Sequence, residues 1–375
     1  MKTLIFMCGE GLGHTGRCLS LGRELISNGH EVVFGAYGYS KELVEKSGYP
    51  VRNIPSEIKL VGKGGSLSMR DSIGATLKNA QLLGGPRVLK IVDEVKPDVV
   101  VSDSYYLGIL AAKARGLPVN VIVNQTRMDE FFKNRGIPFE ILGGIAKGFY
   151  TKVFEHVDRV VIPDYPPPYT VCRRNLAFTE EMVGKVFYSG PLVRRRYGEV
   201  KARRFGRPHV LSMIGGFGYR ERIFNSMLEA AGLDRKIHYT LVSGPSVNAQ
   251  KYGRIPSNVE IFPFIDDPFP YIKGSDLLVA PGGHSTIMEA LSFGKPMLSI
   301  PDMLHSEQEN NASVLGEEGV GLRLSHHTPP KVILECVRQV LGDRGYARNA
   351  ARLRRLSAEL DGPVALRKLL EADAG

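Results

Sequence analysis

The chain has 375 residues, 43% of them hydrophobic and 23% charged, and its formal net charge is +10. This length exceeds what one hydrophobic core usually supports, so we expect two domains, and the composition excludes disordered and fibrous proteins. Four cysteines without a CxxC pair exclude a disulfide framework and indicate free thiols. Because no apolar run approaches the roughly 18 residues of a membrane span or forms a signal peptide, we expect a cytoplasmic protein, soluble or peripheral at the membrane.

Short apolar runs alternate with amphipathic stretches through the first half of the chain. In order they are TLIFMC, EVVFGAY, PDVVVSD, PVNVIVN and DRVVIP. The alternation restarts after residue 207 with HVLSMIGG, IHYTLVSGP, NVEIFPFI, SDLLVAPGG, PMLSIP and VGLRL. Strands and helices in this order predict two doubly wound α/β domains, each around a parallel sheet.

The domain boundaries follow from the restart of the pattern. We predict an N-terminal Rossmann-like domain over 1–189, a linker over 190–207, a C-terminal Rossmann-like domain over 208–345, and helices over 346–375 that could pack back on the first domain. The linker holds seven basic residues and one acidic residue, which favours either an anionic partner or a solvated basic surface. The apolar segment 139–154 favours a core helix over a surface that touches lipid or an apolar acceptor.

The first loop, CGEGLGHTGR, lies between an apolar run and a helical pattern. Its glycines let the backbone approach a ligand, and the following helix N-terminus suits an anion. The sequence disfavours a dinucleotide site, because EVVFGAYGYS supplies no acidic residue at the end of the second strand.

The stretch APGGHSTIMEALSFGKP places a Gly-Gly turn between a strand and a helix. His284, Ser285 and Thr286 then stand at a helix start, where amides, hydroxyls and an imidazole can hold a diphosphate. Glu289 follows one turn later and can reach a pair of sugar hydroxyls. The alternative is a capping box, with Thr286 as the cap and Glu289 at the third helical position.

The stretch PDMLHSEQENNA follows the next strand and concentrates polar groups in a loop. Such a density of hydrogen-bond donors and acceptors suits a hexose, whereas a solvated helix start would explain only two of the five polar residues. The residues are His305, Glu307, Gln308, Asn310 and Asn311. A further glycine loop, SMIGGFGYR, opens the second half and is similar to the first loop.

The run from FPFIDDPFPYIKG to HSEQENNA, residues 262–312, resembles the donor domain of two-domain GT-B glycosyltransferases, and SGPLVR resembles their interdomain junction. The family includes the lipid II-forming N-acetylglucosaminyl transferase and the galactolipid synthases. The resemblance implies a GT-B fold with an interdomain cleft. It also implies inverting, metal-independent transfer of N-acetylglucosamine or another hexose from a UDP-sugar to a hydroxyl.

The resemblance implies roles for individual residues. His14 would be the general base and Asp103 would orient its imidazole, as in a catalytic triad. The alternatives are that His14 only contacts phosphate and that Asp103 caps the following helix. The implied donor-binding residues are Gly215, Gly216, Phe264, Ile265, Gly282, Gly283, His284, Ser285, Thr286, Glu289, Glu307, Gln308 and Asn311. The acceptor-side candidates are Gly11, Gly13, Arg17, Asn124 and Gln125.

We expect no cofactor and no metal, because the UDP-sugar is a co-substrate and helix N-termini with His284 can meet the diphosphate charge. The expected acceptor is an anionic or lipid-linked hydroxyl compound at the cytoplasmic membrane face. The first loop also resembles the GxGHxxRC loop of the nucleotide-sugar hydrolase of pseudaminic acid biosynthesis, so hydrolysis is an alternative. Weaker alternatives are a UDP-sugar 2-epimerase and a non-catalytic nucleic-acid binder, and we expect no nucleic-acid partner.

Overall fold

The structure is a computed structural model that describes residues 1–57, 59, 61–63, 66–78, 84–133, 135–214, 220–244 and 255–374. It divides into two compact units. The first comprises Met1–Val61, Ser68–Arg194 and Leu360–Gly375, and the second comprises Gly62–Leu67 and Arg195–Glu359. All four cysteines are free, as predicted.

The first unit is built on a parallel sheet of seven strands in the order β3-β2-β1-β6-β7-β8-β9. The strands are β1 (Lys2–Met7), β2 (Glu31–Ala36), β3 (Val51–Asn53), β6 (Val99–Asp103), β7 (Val119–Ile122), β8 (Arg159–Ile162) and β9 (Val186–Tyr188). Strands β1 and β6 are buried along almost their whole length, which explains their continuous apolar runs. The strand order reverses between β1 and β6.

Helices cover both faces of this sheet. They are α1 (Leu12–Ser27), α2 (Gly38–Lys46), α3 (Met69–Lys78), α4 (Gly85–Val95), α5 (Tyr106–Lys113), α6 (Ile137–His156), α7 (Glu180–Val183) and α14 (Gly362–Asp373). The C-terminal helix α14 packs against α1, and its Leu366 and Leu370 are fully buried with Leu21 and Leu25. The last helix of the chain therefore completes the core of the first unit.

The second unit is built on a parallel sheet of six strands in the order β12-β11-β10-β13-β14-β15. The strands are β10 (His209–Met213), β11 (His238–Val242), β12 (Val259–Phe262), β13 (Leu277–Ala280), β14 (Met297–Ser299) and β15 (Gly321–Arg323). The helices are α8 (Glu221–Leu233), α9 (Phe269–Gly274), α10 (His284–Ser292), α11 (Ser306–Glu317), α12 (Pro330–Gly342) and α13 (Arg344–Leu360). A separate antiparallel ribbon pairs β4 (Gly62–Lys63) with β5 (Ser66–Leu67).

Two doubly wound α/β domains are thus confirmed. The strand order in each sheet is the Rossmann order, in which the fourth strand returns beside the first. Sequence analysis missed the short strands β3 and β9, because each has three residues and lies at an edge of the sheet without a buried apolar run.

The basic segment around 195–207 lies on the second unit, where several of its arginines have partners. Arg195 pairs with Asp267 at 3.3 Å, and the Arg203 guanidinium lies 4.6 Å from the centre of the Tyr271 ring. Arg207 donates to the carbonyl oxygen of Arg235. These arginines therefore attach the segment to the unit.

The prediction of a core helix over 139–154 is wrong for most of that segment. The buried residues of α6 are Gly143, Val153 and Phe154. At Gly143 a Cβ would lie 2.8 Å from the Cβ of Phe132, so α6 lies very close to Phe132 at that point. Apolar residues occur on both faces of α6, and composition alone does not show which face is buried. None of the described helices is both long enough and apolar enough to cross a membrane.

Candidate functional site

The reversal of strand order in the first sheet brings the loop after β1 next to the end of β6. Met7 pairs with Asp103 across the two strands, and the N–H of Cys8 donates to the Asp103 carbonyl at 3.0 Å. The chain then enters α1, whose first turns carry His14 and Arg17. In open α/β sheets ligands bind at this position, outside the carboxyl ends of the strands.

His14, Arg17 and Asp103 form one hydrogen-bonded cluster. His14 Nδ1 lies 2.7 Å from Asp103 Oδ1. Arg17 donates from Nη2 to the same oxygen at 2.8 Å and from Nε to Oδ2 at 2.9 Å. The Asp103 side chain is fully buried and that of Arg17 is 4% exposed, whereas His14 is 25% exposed. The predicted contact between His14 and Asp103 is present, and the imidazole is the accessible member.

The charges around Asp103 keep its carboxyl ionised. Burial by itself would raise the pKa of Asp103, but the charge of Arg17 and the hydrogen bonds from His14 and Arg17 outweigh it and hold the pKa below its usual range. Burial raises the pKa of Cys8 to about 11 and that of Cys18 well above its usual range. Both thiols are therefore protonated at neutral pH, which excludes a thiolate nucleophile at these two positions.

The alternative that Asp103 caps the following helix is wrong. The N-cap of α5 is Tyr105 and its side chain makes no cap hydrogen bond. Instead the buried carboxylate of Glu57 accepts from the backbone N–H of Tyr106, at 2.9 Å, and from that of Leu107. Sequence analysis missed Glu57, because nothing in the surrounding PSEIKL shows a partner 49 residues away.

The acceptor-side candidates lie in several places. Gly11 is the N-cap of α1 and Gly13 is the second residue of that helix. Asn124 and Gln125 follow β7 and are buried, and the Gln125 amide donates to the Arg127 carbonyl. Arg17 is also one of these candidates, but its guanidinium is hydrogen-bonded to Asp103. The spacing of His14, Arg17 and Cys18, which places them on one face of α1, is a signal in the sequence that the sequence analysis did not use.

The second sheet reverses its strand order between β10 and β13. Gly215 and Gly216, predicted to bind the donor, follow β10 and lie outside the described residues. The turn after β13 contains Gly282 with φ of +98°, in the region that favours glycine. A Cβ at this position would also lie 2.6 Å from Ser299 Oγ.

Gly283 is the N-cap of α10, and His284, Ser285 and Thr286 are its first three residues. Their N–H groups belong to the set that a helix leaves without an internal partner, so the turn has the character of an anion site. The capping-box alternative is wrong, because Thr286 lies inside the helix and the cap makes no side-chain hydrogen bond. Glu289, on the second turn of α10, is partly exposed.

The polar group predicted as a loop over 305–311 lies mainly on a helix, since α11 begins at Ser306. Asn311 is buried and donates to the Gly282 carbonyl at 3.1 Å and to Glu307 at 3.3 Å, so it connects α11 to the turn before α10. Gln308 is also buried and both ends of its amide bind Asp302. Phe264 and Ile265, the predicted base neighbours, follow β12, and Phe264 is 45% exposed.

Sequence analysis also missed the buried ion pair between Arg220 and Asp302. Arg220 Nε donates to Asp302 Oδ1 at 2.7 Å, and the Asp302 side chain is fully buried. Burial would raise the pKa of Asp302, but the hydrogen bond and charge of Arg220 hold it below the usual range. Asp302 stands at the carboxyl end of β14, which was the signal available in the sequence.

Comparison with known proteins identifies the family. The model described as "Glycosyltransferase family 28 C-terminal domain" matches residues 221–356, and that described as "Glycosyl transferase family 1" matches residues 1–182. A protein of Methanosarcina acetivorans named "Uncharacterized glycosyltransferase" is 62% identical over 375 residues, which cover 100% of this chain and 99% of that protein. The chain belongs to this glycosyltransferase family. The enzyme is therefore a glycosyltransferase.

More distant relatives of this glycosyltransferase agree with the fold. A UDP-N-acetylglucosamine–N-acetylmuramyl-(pentapeptide) pyrophosphoryl-undecaprenol N-acetylglucosamine transferase of Alkaliphilus oremlandii is 25% identical over 303 residues, 76% of this chain and 74% of that protein. The structure of the glycotransferase of kitacinnamycin aligns with TM-score 0.75 at 20% identity, covering 100% of this chain and 99% of the other. The calicheamicin glycosyltransferase CalG4 aligns with TM-score 0.73 at 18% identity, covering 99% and 98%. The glycosyltransferase has the GT-B fold.

We predict that Arg220→Met destabilises the second unit by about 3–5 kcal/mol at pH 7, because it leaves the Asp302 carboxylate buried without its guanidinium. The pKa of Asp302 is lowered in the folded state, so the pair stabilises the protein above the unfolded pKa, and this contribution is lost as the pH falls through the folded value. The free-energy difference from wild type, measured by urea unfolding, should therefore narrow below about pH 4.

The matched control for this prediction is Arg222→Met, which removes an exposed arginine two residues along, in the first turn of α8, and should change stability by no more than about 0.5 kcal/mol. An equal loss of unfolding free energy in both variants would contradict the account of the ion pair. So would a loss in Arg220→Met that does not depend on pH.

Proposed function

We propose that this glycosyltransferase moves a hexose, N-acetylglucosamine or a related sugar, from a UDP-sugar to a hydroxyl of a lipid-linked or anionic acceptor, with inversion and without a metal ion. The observation that carries the proposal is the contact between the accessible imidazole of His14 and the buried carboxylate of Asp103. The chain belongs to a glycosyltransferase family, and a general base is the group that such a transfer needs. In this proposal the base is His14, which lies where the strand order of the first sheet reverses.

In the proposed reaction His14 Nε2 takes the proton of the acceptor hydroxyl. The hydroxyl oxygen forms a bond to the anomeric carbon of the sugar, the bond from that carbon to the UDP oxygen breaks, and UDP leaves with the bonding electron pair. A single displacement of this kind inverts the anomeric configuration. The ionised Asp103 accepts from Nδ1 and so directs Nε2 towards the substrate.

The second unit is proposed to bind the donor. The diphosphate would meet the N-terminus of α10, with His284, Ser285 and Thr286, and its charge would be compensated there without a metal ion. Glu289 would bind the ribose and Glu307 the sugar. A UDP donor is supported by the name of the Alkaliphilus oremlandii relative. A thymidine diphosphate complex of the spinosyn rhamnosyltransferase SpnG, 18% identical, makes a dTDP-sugar the competing donor.

The test of the proposed function is release of UDP with and without an acceptor. Thermal shifts with UDP-, GDP- and dTDP-sugars select the donor first, because a ligand of the folded state raises the melting temperature. We expect UDP release to rise at least tenfold with a polyprenyl-diphosphate-linked sugar or diacylglycerol in detergent, and to be unchanged by EDTA. Equal release without any acceptor would support a hydrolase instead, and inversion at C2 of the sugar in proton NMR would support an epimerase.

A lipid-linked acceptor is supported by the exposed side of α6. Ile137, Ile141, Ile145 and Phe149 are 75%, 62%, 66% and 48% exposed. Their i,i+4 spacing makes a continuous row about 18 Å long, which we call the apolar stripe of α6. An exposed row of this size is unusual unless it meets another surface.

We propose that the apolar stripe lies on the cytoplasmic face of a membrane that carries anionic headgroups. The exposed Lys152 stands three residues beyond Phe149 on the same side of α6 and can reach headgroups while the stripe enters the acyl boundary. This orientation would deliver a lipid-linked acceptor to the first unit.

We predict that the double variant Ile141→Glu/Ile145→Glu loses at least tenfold in binding to vesicles of phosphatidylcholine with phosphatidylserine, measured by co-sedimentation, because two charges would enter the acyl boundary. Turnover with a water-soluble acceptor should be unchanged. The matched control is Leu233→Glu, at an exposed leucine of α8, which should bind vesicles as wild type does. Failure of the wild type to bind vesicles, or its dimerisation through α6, would contradict the membrane assignment.

A further inference from the structure

The buried guanidinium of Arg17 shares the carboxylate of Asp103 with His14. Nη2 of Arg17 lies 2.8 Å from Asp103 Oδ1 and 2.9 Å from His14 Nδ1, so three polar atoms meet at one place. The second contact, from Nε to Oδ2 at 2.9 Å, makes the arginine pairing bidentate. A general base and its orienting carboxylate need no such arginine, and its presence calls for a physical reason.

The contacts determine where the proton of His14 lies. The ionised carboxylate of Asp103 can only accept, so its 2.7 Å contact requires a proton on Nδ1. A guanidinium can only donate. If Nδ1 lost its proton, Nη2 of Arg17 could donate to it, and the proton of the neutral ring would then occupy Nε2. Arg17 already pairs with both carboxylate oxygens, and the contact of Nδ1 with Oδ1 is the shorter of its two contacts, so the geometry favours the tautomer with Nδ1–H donating to Asp103.

The charges of Asp103 and Arg17 determine the electrostatic surroundings of His14. An imidazole beside a buried carboxylate without a second partner is stabilised in its cationic form. Here the carboxylate and the guanidinium together carry no net charge, and both are almost entirely buried. The imidazole is therefore oriented by the carboxylate without facing an uncompensated negative charge.

We propose that Arg17 is a positioning residue that neutralises the charge of Asp103, so that the carboxylate orients His14 without placing an uncompensated negative charge beside the imidazole. The proposal rests on the proposed role of His14 as the base. It replaces acceptor contact, expected from sequence, as the role of the Arg17 side chain.

Other titratable groups surround this cluster in the described part of the first unit. From α1, Cys18 Sγ lies 3.8 Å from Asp103 Oδ2, and from α5 the phenol of Tyr106 is electrostatically coupled to Asp103. Burial raises the pKa of both groups, so they are neutral at pH 7. The loop after β1 adds Glu10, which acts on Cys8. Glu57 requires a control, because burial raises its pKa to about 7.

The experiment is an NMR titration of the His14 imidazole in the full-length protein, assigned by comparison with His14→Ala, together with the pH profile of kcat/KM. In Arg17→Met the carboxylate is uncompensated, which favours the imidazolium, so the titration midpoint should rise by at least one pH unit. The acidic limb of kcat/KM should move upward with the midpoint. On that limb, kcat/KM should fall about tenfold for each pH unit by which the midpoint rises. Activity should recover at higher pH.

Three variants separate this proposal from a merely structural role for Arg17. Arg17→Lys restores the charge and should return the midpoint to within about 0.3 of wild type. The double variant Arg17→Met/Asp103→Asn removes both charges and should reverse the rise in the midpoint, even if Arg17→Met alone proves too unstable to titrate. Glu57→Gln keeps an acceptor for α5 and should leave the midpoint unchanged.

An unchanged midpoint in folded Arg17→Met would overturn the proposal, as would a rise in Arg17→Lys equal to that in Arg17→Met. The titration does not depend on turnover. Undiminished activity of His14→Ala would therefore refute the proposed base while leaving the effect of Arg17 on His14 to be decided by NMR.

Discussion

The reversal of strand order is the constraint from which both candidate sites follow. In a parallel sheet every strand ends at the same edge, and where the order reverses, the two flanking loops diverge and leave room for a ligand. The first sheet reverses between β1 and β6, and the second between β10 and β13. His14 and Asp103 lie at the first reversal, and the turn at Gly282 lies at the second.

Buried charge pairs then fix these sites. Asp103 is the last residue of β6, Asp302 follows β14, and both are fully buried; Asp103 is bound by Arg17 of α1 and Asp302 by Arg220, the N-cap of α8. Burial of a carboxylate is costly without such a partner, so each arginine makes a buried acid possible and determines its orientation. At Asp103 a further contact goes to the partly exposed imidazole of His14, which is the arrangement of a base. At Asp302 it goes to the buried amide of Gln308, which fixes the first turn of α11.

Continuous apolar runs predicted the long central strands and hence the fold, because β1, β6 and β13 are buried on both faces and read as unbroken runs. The resemblance to glycosyltransferases brought His14 and Asp103 together, but the pairing of Arg17 with Asp103 joins residues 86 apart and only the folded chain shows it. For the same reason Glu57 as the cap of α5 was not predictable. The exposed stripe of α6 was misassigned because burial depends on which face of a helix finds a neighbour.

The central claim is a division of labour, in which the first unit supplies the base and the second binds the donor. The most direct measurement compares kcat with the donor Kd from calorimetry in His14→Ala and Glu289→Ala. The account predicts that His14→Ala loses roughly 100-fold or more in kcat while its donor Kd stays within a few fold, and that Glu289→Ala mainly weakens donor binding. A large loss of donor affinity in His14→Ala with kcat nearly unchanged would make His14 a phosphate ligand and contradict the account.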